Sequence, residues 1–267
     1  MSVDYRALLE LADAAAAAAG AAILGVYGGD FTVAQKADAS PVTLADQLAE
    51  AVVLAKLGAA TPDIPVIAEE RAAAYGLPGA APPRFWLVDP LDGTKEFIKR
   101  NGEFTVNIAL IEQSRAVLGV VHVPAQAVTY AAAGPGTATR RSGSTAAQPI
   151  AARPVPARRP VVLCSRSHAD EQRLAQYLAG LVEPERRVAG SSVKFCLIAA
   201  GEADLYPRFG PTMEWDTGAA QAVLEAAGGS VVTLDGAPLR YGKPGFANPD
   251  FIAQGATTAE KIRGGAR

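Results

Sequence analysis

Residues Trp86 to Phe97 read WLVDPLDGTKEF, and this stretch decides how the rest of the chain is read. An apolar run ends in two aspartates, Asp89 and Asp92, with Pro90 and Leu91 between them. Two ionised carboxylates held close together cost free energy unless a cation or a proton sits between them. Pro90 restricts the backbone and disfavours helix at Asp89, and Gly93 is free to take a positive φ. A strand that turns there aims both acids at one point. The residues after the turn, Gly93 to Lys95, open a turn or helix whose backbone N–H groups form a natural seat for phosphate.

Working outward, other acids fall at the ends of predicted elements. The stretch IPVIAEE is expected to be a short strand that stops in Glu69 and Glu70, either as exposed loop acids or at the same sheet edge as Asp89 and Asp92. In EWDTGAAQAVLEAAGG, Asp216 stands at the start of a strong helix that Gly228 and Gly229 close, so it reads as an N-cap with a second oxygen left for a metal. Thr43-Leu-Ala-Asp46 fits a capping box, with a catalytic role for Asp46 equally open. Hard oxygen donors without histidine or thiol suit Mg²⁺. Together with a phosphate seat they point to metal-assisted phosphate hydrolysis.

The rest of the chain reads as α/β, with α+β character in its N-terminal part. Residues 4–27 are expected to form one long helix, with Leu8, Leu11, Ala15, Ala19 and Ile23 near one face, and a second helix runs from Leu44 to Leu57. RFWLVDP, FTVNIALIE and AVLGVVHVP read as strands; alternation is clearest at Phe104, Val106, Ile108 and Leu110. From about 131 to 160, glycine, proline, serine and arginine mark a surface hairpin and a connection. Beyond it PVVLCS, ADEQRLAQYLAGL, VKFCLIAAGEA, ADLYPR, DTGAAQAVLEAAGG and SVVTL alternate between strand and helix. The expected division is a part over residues 1–150 carrying most of the acids and a part over 151–267 carrying the rest of the site.

Composition bounds the partners. Of 267 residues, 49% are hydrophobic and 19% charged, and the formal net charge is −2, so no basic surface for polymeric nucleic acid is expected. Cys164 and Cys196 have neither metal-ligand spacing nor a disulfide framework, which suits a reducing cytoplasm; loose association with the inner membrane face stays open. Both cysteines read as buried neutral thiols, with redox sensitivity of Cys196, near Lys194 in the chain, as the alternative. The alanine-rich N-terminal run is too weakly apolar to read as a transmembrane span. His122, Trp86 and Trp215 read as packing residues, and the arginine pairs at 140–141 and 158–159 as solvated loops.

Asp46, Glu69-Glu70, Asp89-Pro90-Leu91-Asp92-Gly93-Thr94 and Trp215-Asp216, in this order and spacing, resemble the inositol monophosphatase superfamily of Mg²⁺-dependent, lithium-sensitive phosphatases. The resemblance implies a layered αβαβα sandwich and covers essentially the whole chain. Lys95-Glu96-Phe97 stands where inositol phosphatases usually have Thr-Asn-Phe, and with SRSHAD (165–170) and GSSVKFCLIAAGEADLYPR (190–208) it resembles the branch that removes the 3′-phosphate of adenosine 3′,5′-bisphosphate. In that branch the reaction yields AMP, clears a by-product of sulfate assimilation and extends to the sulfated analogue. By position, the resemblance implies Glu69, Asp89, Asp92, Asp216 and the Leu91 carbonyl as ligands of two or three Mg²⁺ ions. Thr94, oriented by Asp46, is implied to hold the attacking water, and the Gly93 and Thr94 amides to grip the phosphate. Ser165, His168, Ser191 and Lys194 are implied on the nucleotide side, where Glu69 and Asp216 also border the substrate. Inositol monophosphate and fructose 1,6-bisphosphate are the alternative substrates, and a non-catalytic binder of the same fold is the competing class. The superfamily includes both monomers and homodimers.

Overall fold

A computed structural model describes residues 4–35, 41–166 and 170–256. Asp4 caps the first helix, α1 (Tyr5–Tyr27), accepting from the backbone N–H groups of Arg6 and Ala7. By length and composition alone α1 is long and apolar enough to span a membrane. Its stripe of Ala12, Ala15, Ala16, Ala19 and Ile23 is nevertheless buried, and small side chains let it lie close against α2 (Leu44–Ala60) and the first sheet. The predicted Leu8 and Leu11 are only partly buried. A short antiparallel ribbon, β1 (Val33–Gln35) with β2 (Pro41–Thr43), leads into α2.

The first sheet has seven strands: β3 (Val66–Ala68), β4 (Arg84–Asp92), β5 (Thr105–Glu112), β6 (Arg115–Val123), β7 (Val128–Ala133), β8 (Thr139–Ser142) and β9 (Gln148–Pro149). They lie in chain order; β3 runs parallel to β4, and every later pair is antiparallel. Helix α3 (Glu69–Tyr75) lies between β3 and β4, and α4 (Thr94–Ile98) follows β4. Side chains alternate between the faces of this sheet. Trp86, Val88, Val106, Ile108 and Leu110, with Phe104 just before β5, pack under α1 and α2, as the alternation in FTVNIALIE predicts. Phe85, Leu87, Ala109 and Ile111 face the other way.

That other face meets α6 (Val193–Ala199) and α7 (Gly218–Ala226), which lie in one core with a second sheet. The second sheet is ordered β11-β10-β12-β14-β13, from β10 (Val161–Ser165), β11 (Glu185–Ala189), β12 (Leu205–Arg208), β13 (Ser230–Thr233) and β14 (Phe251–Gln254). Its far face packs on α5 (Glu171–Ala179) through Val162, Cys164, Leu174 and Leu205. The layers are therefore helices, sheet, helices, sheet, helix: the αβαβα sandwich implied by the motifs. Gly119 on β6 is part of this packing, because a Cβ there would collide with the carbonyl of Ala219 on α7.

Two boundaries differ from expectation. The IPVIAEE strand stops at Ala68, and both glutamates open α3 instead of ending the strand. Acids in a first turn favour the positive end of the helix dipole, and Arg-Ala-Ala-Ala follows with good helix propensity. Asp216 does not cap α7, whose N-cap is Thr217; it closes a 3-10 turn (Glu214–Asp216) in front of it, accepting from Met213 N–H at 2.9 Å.

Candidate active site

The site is built around a bend at the end of β4. Asp89 pairs with Asn107 and Asp92 with Thr105, so β4 spends three steps where β5 spends two, and the surplus residue forms a bulge. Asp89 Oδ1 accepts from the Leu91 N–H at 3.0 Å, which closes the bend locally. Gly93 then sits at φ 94°, ψ 41°, in the left-handed region, where a Cβ would lie 3.1 Å from the Glu103 carbonyl oxygen. Thr94 begins α4 immediately afterwards.

Asp46 meets this bend from α2. Its Oδ2 accepts from the Thr43 N–H at 2.7 Å and the Thr43 hydroxyl at 2.8 Å, completing the capping box. Its Oδ1 accepts from the Thr94 hydroxyl at 3.1 Å. The capping box is formed on one oxygen, and the other faces Thr94. Asp46 is buried behind Thr94, whose hydroxyl also lies 3.4 Å from the Leu91 carbonyl oxygen.

The four acids converge. Burial first, then the charges of Glu69, Asp92 and Asp216, hold the Asp89 carboxyl well above the usual carboxylate range, and Asp89 is hydrogen-bonded to Glu69. Asp216 is raised by burial and by Asp92 and Glu69. Asp92 is raised to about 6 by burial, with Lys194 and the Ser192 N–H pulling the other way. Two acid side chains in hydrogen-bonding contact must share a proton or be bridged by a cation. Among the described residues, no three such groups are drawn into a closed coordination shell. The donor set itself, four carboxylates and a carbonyl with no nitrogen or sulfur, fits a hard divalent cation that would draw them in.

Glu69, Asp89, Leu91, Asp92, Gly93, Thr94 and Asp216 line a cavity of about 550 Å³ together with Ser165, Ser191 and Lys194. The predicted residues from both parts of the chain therefore share one cavity, with Asp46 behind it. His168 lies outside the described residues. Lys194, implied on the nucleotide side, is buried in the cavity wall: its ammonium donates to the carbonyl oxygens of Ala189 and Ser191 and sits 5.0 Å from the centre of the Tyr206 ring. Burial pushes its pKa down to about 8. Ser191 itself is held at φ 44°.

Several residues of the site were not expected from sequence. The Ser192 N–H donates to Asp92 Oδ2 at 2.6 Å, and the Ser192 hydroxyl joins Asn107 at 2.7 Å and Thr105 at 2.9 Å. Thr105 and Asn107 are the polar residues that alternate with the apolar stripe of FTVNIALIE, a usable signal. Arg208 and Tyr206, at the end of β12, also line the cavity. Glu103 accepts from the Gly190 N–H at 2.8 Å and pairs with Arg166, fastening the Ser191 loop beside Gly93. Cys164 and Cys196 are both buried, as expected, and burial raises the Cys196 thiol far above the usual range, which leaves no support for the redox-sensitive alternative. His122 is a packing residue, with Nδ1 2.9 Å from the Thr129 hydroxyl, and Trp86 and Trp215 are buried.

The chain and its fold are similar to known proteins. A family model for the inositol monophosphatase family matches residues 4–263. The 3′(2′),5′-bisphosphate nucleotidase CysQ of Escherichia coli strain K12 is 50% identical over 236 residues, spanning 87% of this chain and 94% of that protein. CysQ of Buchnera aphidicola is 39% identical over 255 residues, 93% of this chain and 94% of its own. The crystal structure of CysQ from Bacteroides thetaiotaomicron superposes with a TM-score of 0.80 at 36% identity, over 96% of this chain and 100% of that one. With the family model spanning nearly the whole chain and the layers, bend and acids all in place, this protein belongs to the inositol monophosphatase family.

Proposed function

We propose that the protein is a Mg²⁺-dependent 3′(2′),5′-bisphosphate nucleotidase that hydrolyses the 3′-phosphate of adenosine 3′,5′-bisphosphate to AMP and phosphate, and accepts the 5′-phosphosulfate analogue. The observation that carries this reading is the contact between Asp89 and Glu69 beside the Thr94–Asp46 hydrogen bond, all bordering one cavity. The CysQ relatives support the choice of substrate.

Glu69, Asp89, Asp92, Asp216 and the Leu91 carbonyl would hold two or three Mg²⁺ ions. When bound, these supply Lewis-acid polarisation of the phosphoryl oxygens and acidify bound water. The chain's own groups do the rest. Thr94 Oγ receives a hydrogen bond from the attacking water while donating to Asp46 Oδ1, so the proton leaving the water has a relay into the carboxylate. The Gly93 and Thr94 amides at the start of α4 face the phosphate, where a preorganised N–H costs no reorientation as charge develops. Ser165, Ser191, Lys194 and Arg208 border the nucleotide and its second phosphate. Four carboxylates repel a phosphate until cations are present, so substrate affinity depends on Mg²⁺.

We place the enzyme in the cytoplasm, in line with its two buried, unpaired thiols. The test is phosphate release from adenosine 3′,5′-bisphosphate, inositol 1-phosphate and fructose 1,6-bisphosphate under Mg²⁺, repeated with Li⁺. The nucleotide should give the highest kcat/KM and Li⁺ should inhibit; a preference for inositol 1-phosphate would assign the scaffold to that substrate instead.

A further inference from the structure

Asp46 and Glu50 stand one turn apart on α2 and both are buried. Like charges at this spacing repel one another, and a buried carboxylate persists only where hydrogen bonds satisfy it. Asp46 meets this requirement at Thr43 and Thr94. Glu50 meets it on a different element: its Oε2 accepts from the Glu70 N–H at 2.8 Å. That amide belongs to the first turn of α3, a helix whose own N-cap position is Ala68 and carries no side-chain cap. The cap comes instead from α2, across the fold, and the residue next to the capped amide is Glu69.

We infer that Glu50 is a positioning residue: it fixes the start of α3, and through it holds the Glu69 carboxylate against Asp89. Helix α2 then sets both sides of the site from one face, Asp46 orienting Thr94 and Glu50, one turn later, orienting Glu69. Glu50 is not among the residues lining the cavity, so it acts on the site only through α3. This rests on the proposed role of Glu69 as a metal ligand. Residues that orient a ligand typically change metal affinity 10- to 100-fold when removed, on the order of magnitude seen for other outer-shell partners.

The test compares Glu50→Met, which fills the same volume without an acceptor, with Glu50→Gln, which keeps an acceptor oxygen without the charge. Mg²⁺ uptake by titration calorimetry and hydrogen exchange at the Glu70 amide are the readouts. In Glu50→Met the Glu70 amide should exchange faster and Mg²⁺ should bind roughly 10- to 100-fold more weakly, with most of kcat recovered at saturating Mg²⁺. Glu50→Gln should restore both to within a few-fold of the wild type. If Glu50→Met loses thermal stability but binds Mg²⁺ as the wild type does, Glu50 only stabilises the fold and the inference is overturned. Wild-type protein that takes up no Mg²⁺ would instead overturn the metal reading beneath it, a result visible without any variant.

Discussion

Asp92 and Lys194 line the same cavity from the two halves of the chain, and they are held there by different means. Asp92 stands on a bend specified by neighbours in sequence: Asp89 bonding to the Leu91 N–H, the bulge against β5, and a left-handed glycine that leads directly into α4. Lys194 stands on a wall assembled by longer-range bonds. Its ammonium is spent on the Ala189 and Ser191 carbonyls, and the same loop is fastened to the first half through Glu103 and Gly190. Local rules thus shape the bend that carries Asp89 and Asp92, while the nucleotide side depends on how loops from both halves meet. Chemistry and specificity are separable on such a scaffold, because changing the loops leaves the bend intact.

This contrast can be broken in stages. The largest effect should come from Asp92→Asn, which removes the charge of a proposed ligand while keeping an acceptor for the Ser192 N–H; kcat should fall on the order of 1000-fold or more while circular dichroism stays native. Near-normal turnover would contradict the metal assignment. Next is Asp46→Asn, which weakens the acceptor for Thr94. It should lower kcat on the order of 100-fold with KM little changed, and a rise in KM at constant kcat would move Asp46 from the relay to substrate binding. On the other wall, Lys194→Met should act the opposite way, raising KM for adenosine 3′,5′-bisphosphate roughly tenfold while kcat stays within a few-fold. The same variant should leave KM for a monophosphate substrate nearly unchanged, which checks that the charge serves the second phosphate.

The smallest effect is on stability. Asp92 is raised from 3.8 to about 6, and Asp89 and Asp216 are raised as well. Between these values the folded protein holds protons that the unfolded chain has released. Their contribution to stability is therefore fully present below the ordinary carboxylate range and is lost as pH rises through about 6. Metal-free protein should be less stable at neutral pH than this site alone would make it in mild acid. Mg²⁺ competes with those same protons, so the rise in Tm on adding it should be larger at about pH 8 than at about pH 5. A shift independent of pH would detach the metal from these carboxylates.

How much of this was legible in the sequence follows the same division. Elements such as α1, α2 and β5 were readable because their helix and strand periods are strong and Phe104, Val106, Ile108 and Leu110 alternate cleanly, while their stacking into layers came from the resemblance of the motifs. The bend was readable because proline and glycine bracket its two aspartates. What escaped depended on partners distant in the chain. Ser192 matters because the loop before α6 meets β5 at Asp92, which no local pattern announces, whereas Asn107 and Thr105 at least stand out as polar residues in an apolar strand. Strand β11 was missed because its exposed Glu185, Arg186 and Arg187 hide any apolar alternation. Glu69 was placed at a strand end because two acids after an apolar run look like an exit into solvent, whereas the helix dipole of α3 and the Glu50 carboxylate both favour a helix start there.

Glu69, Asp89, Asp92 and Asp216, spread across both halves of the chain, are held here to form a single cation cradle. Crystals grown with Mn²⁺ in place of Mg²⁺, with anomalous scattering recorded at the manganese edge, test this most directly. Anomalous peaks should lie between these four carboxylates and against the Leu91 carbonyl. Peaks confined to other surfaces, or none between Asp89 and Glu69, would contradict the account.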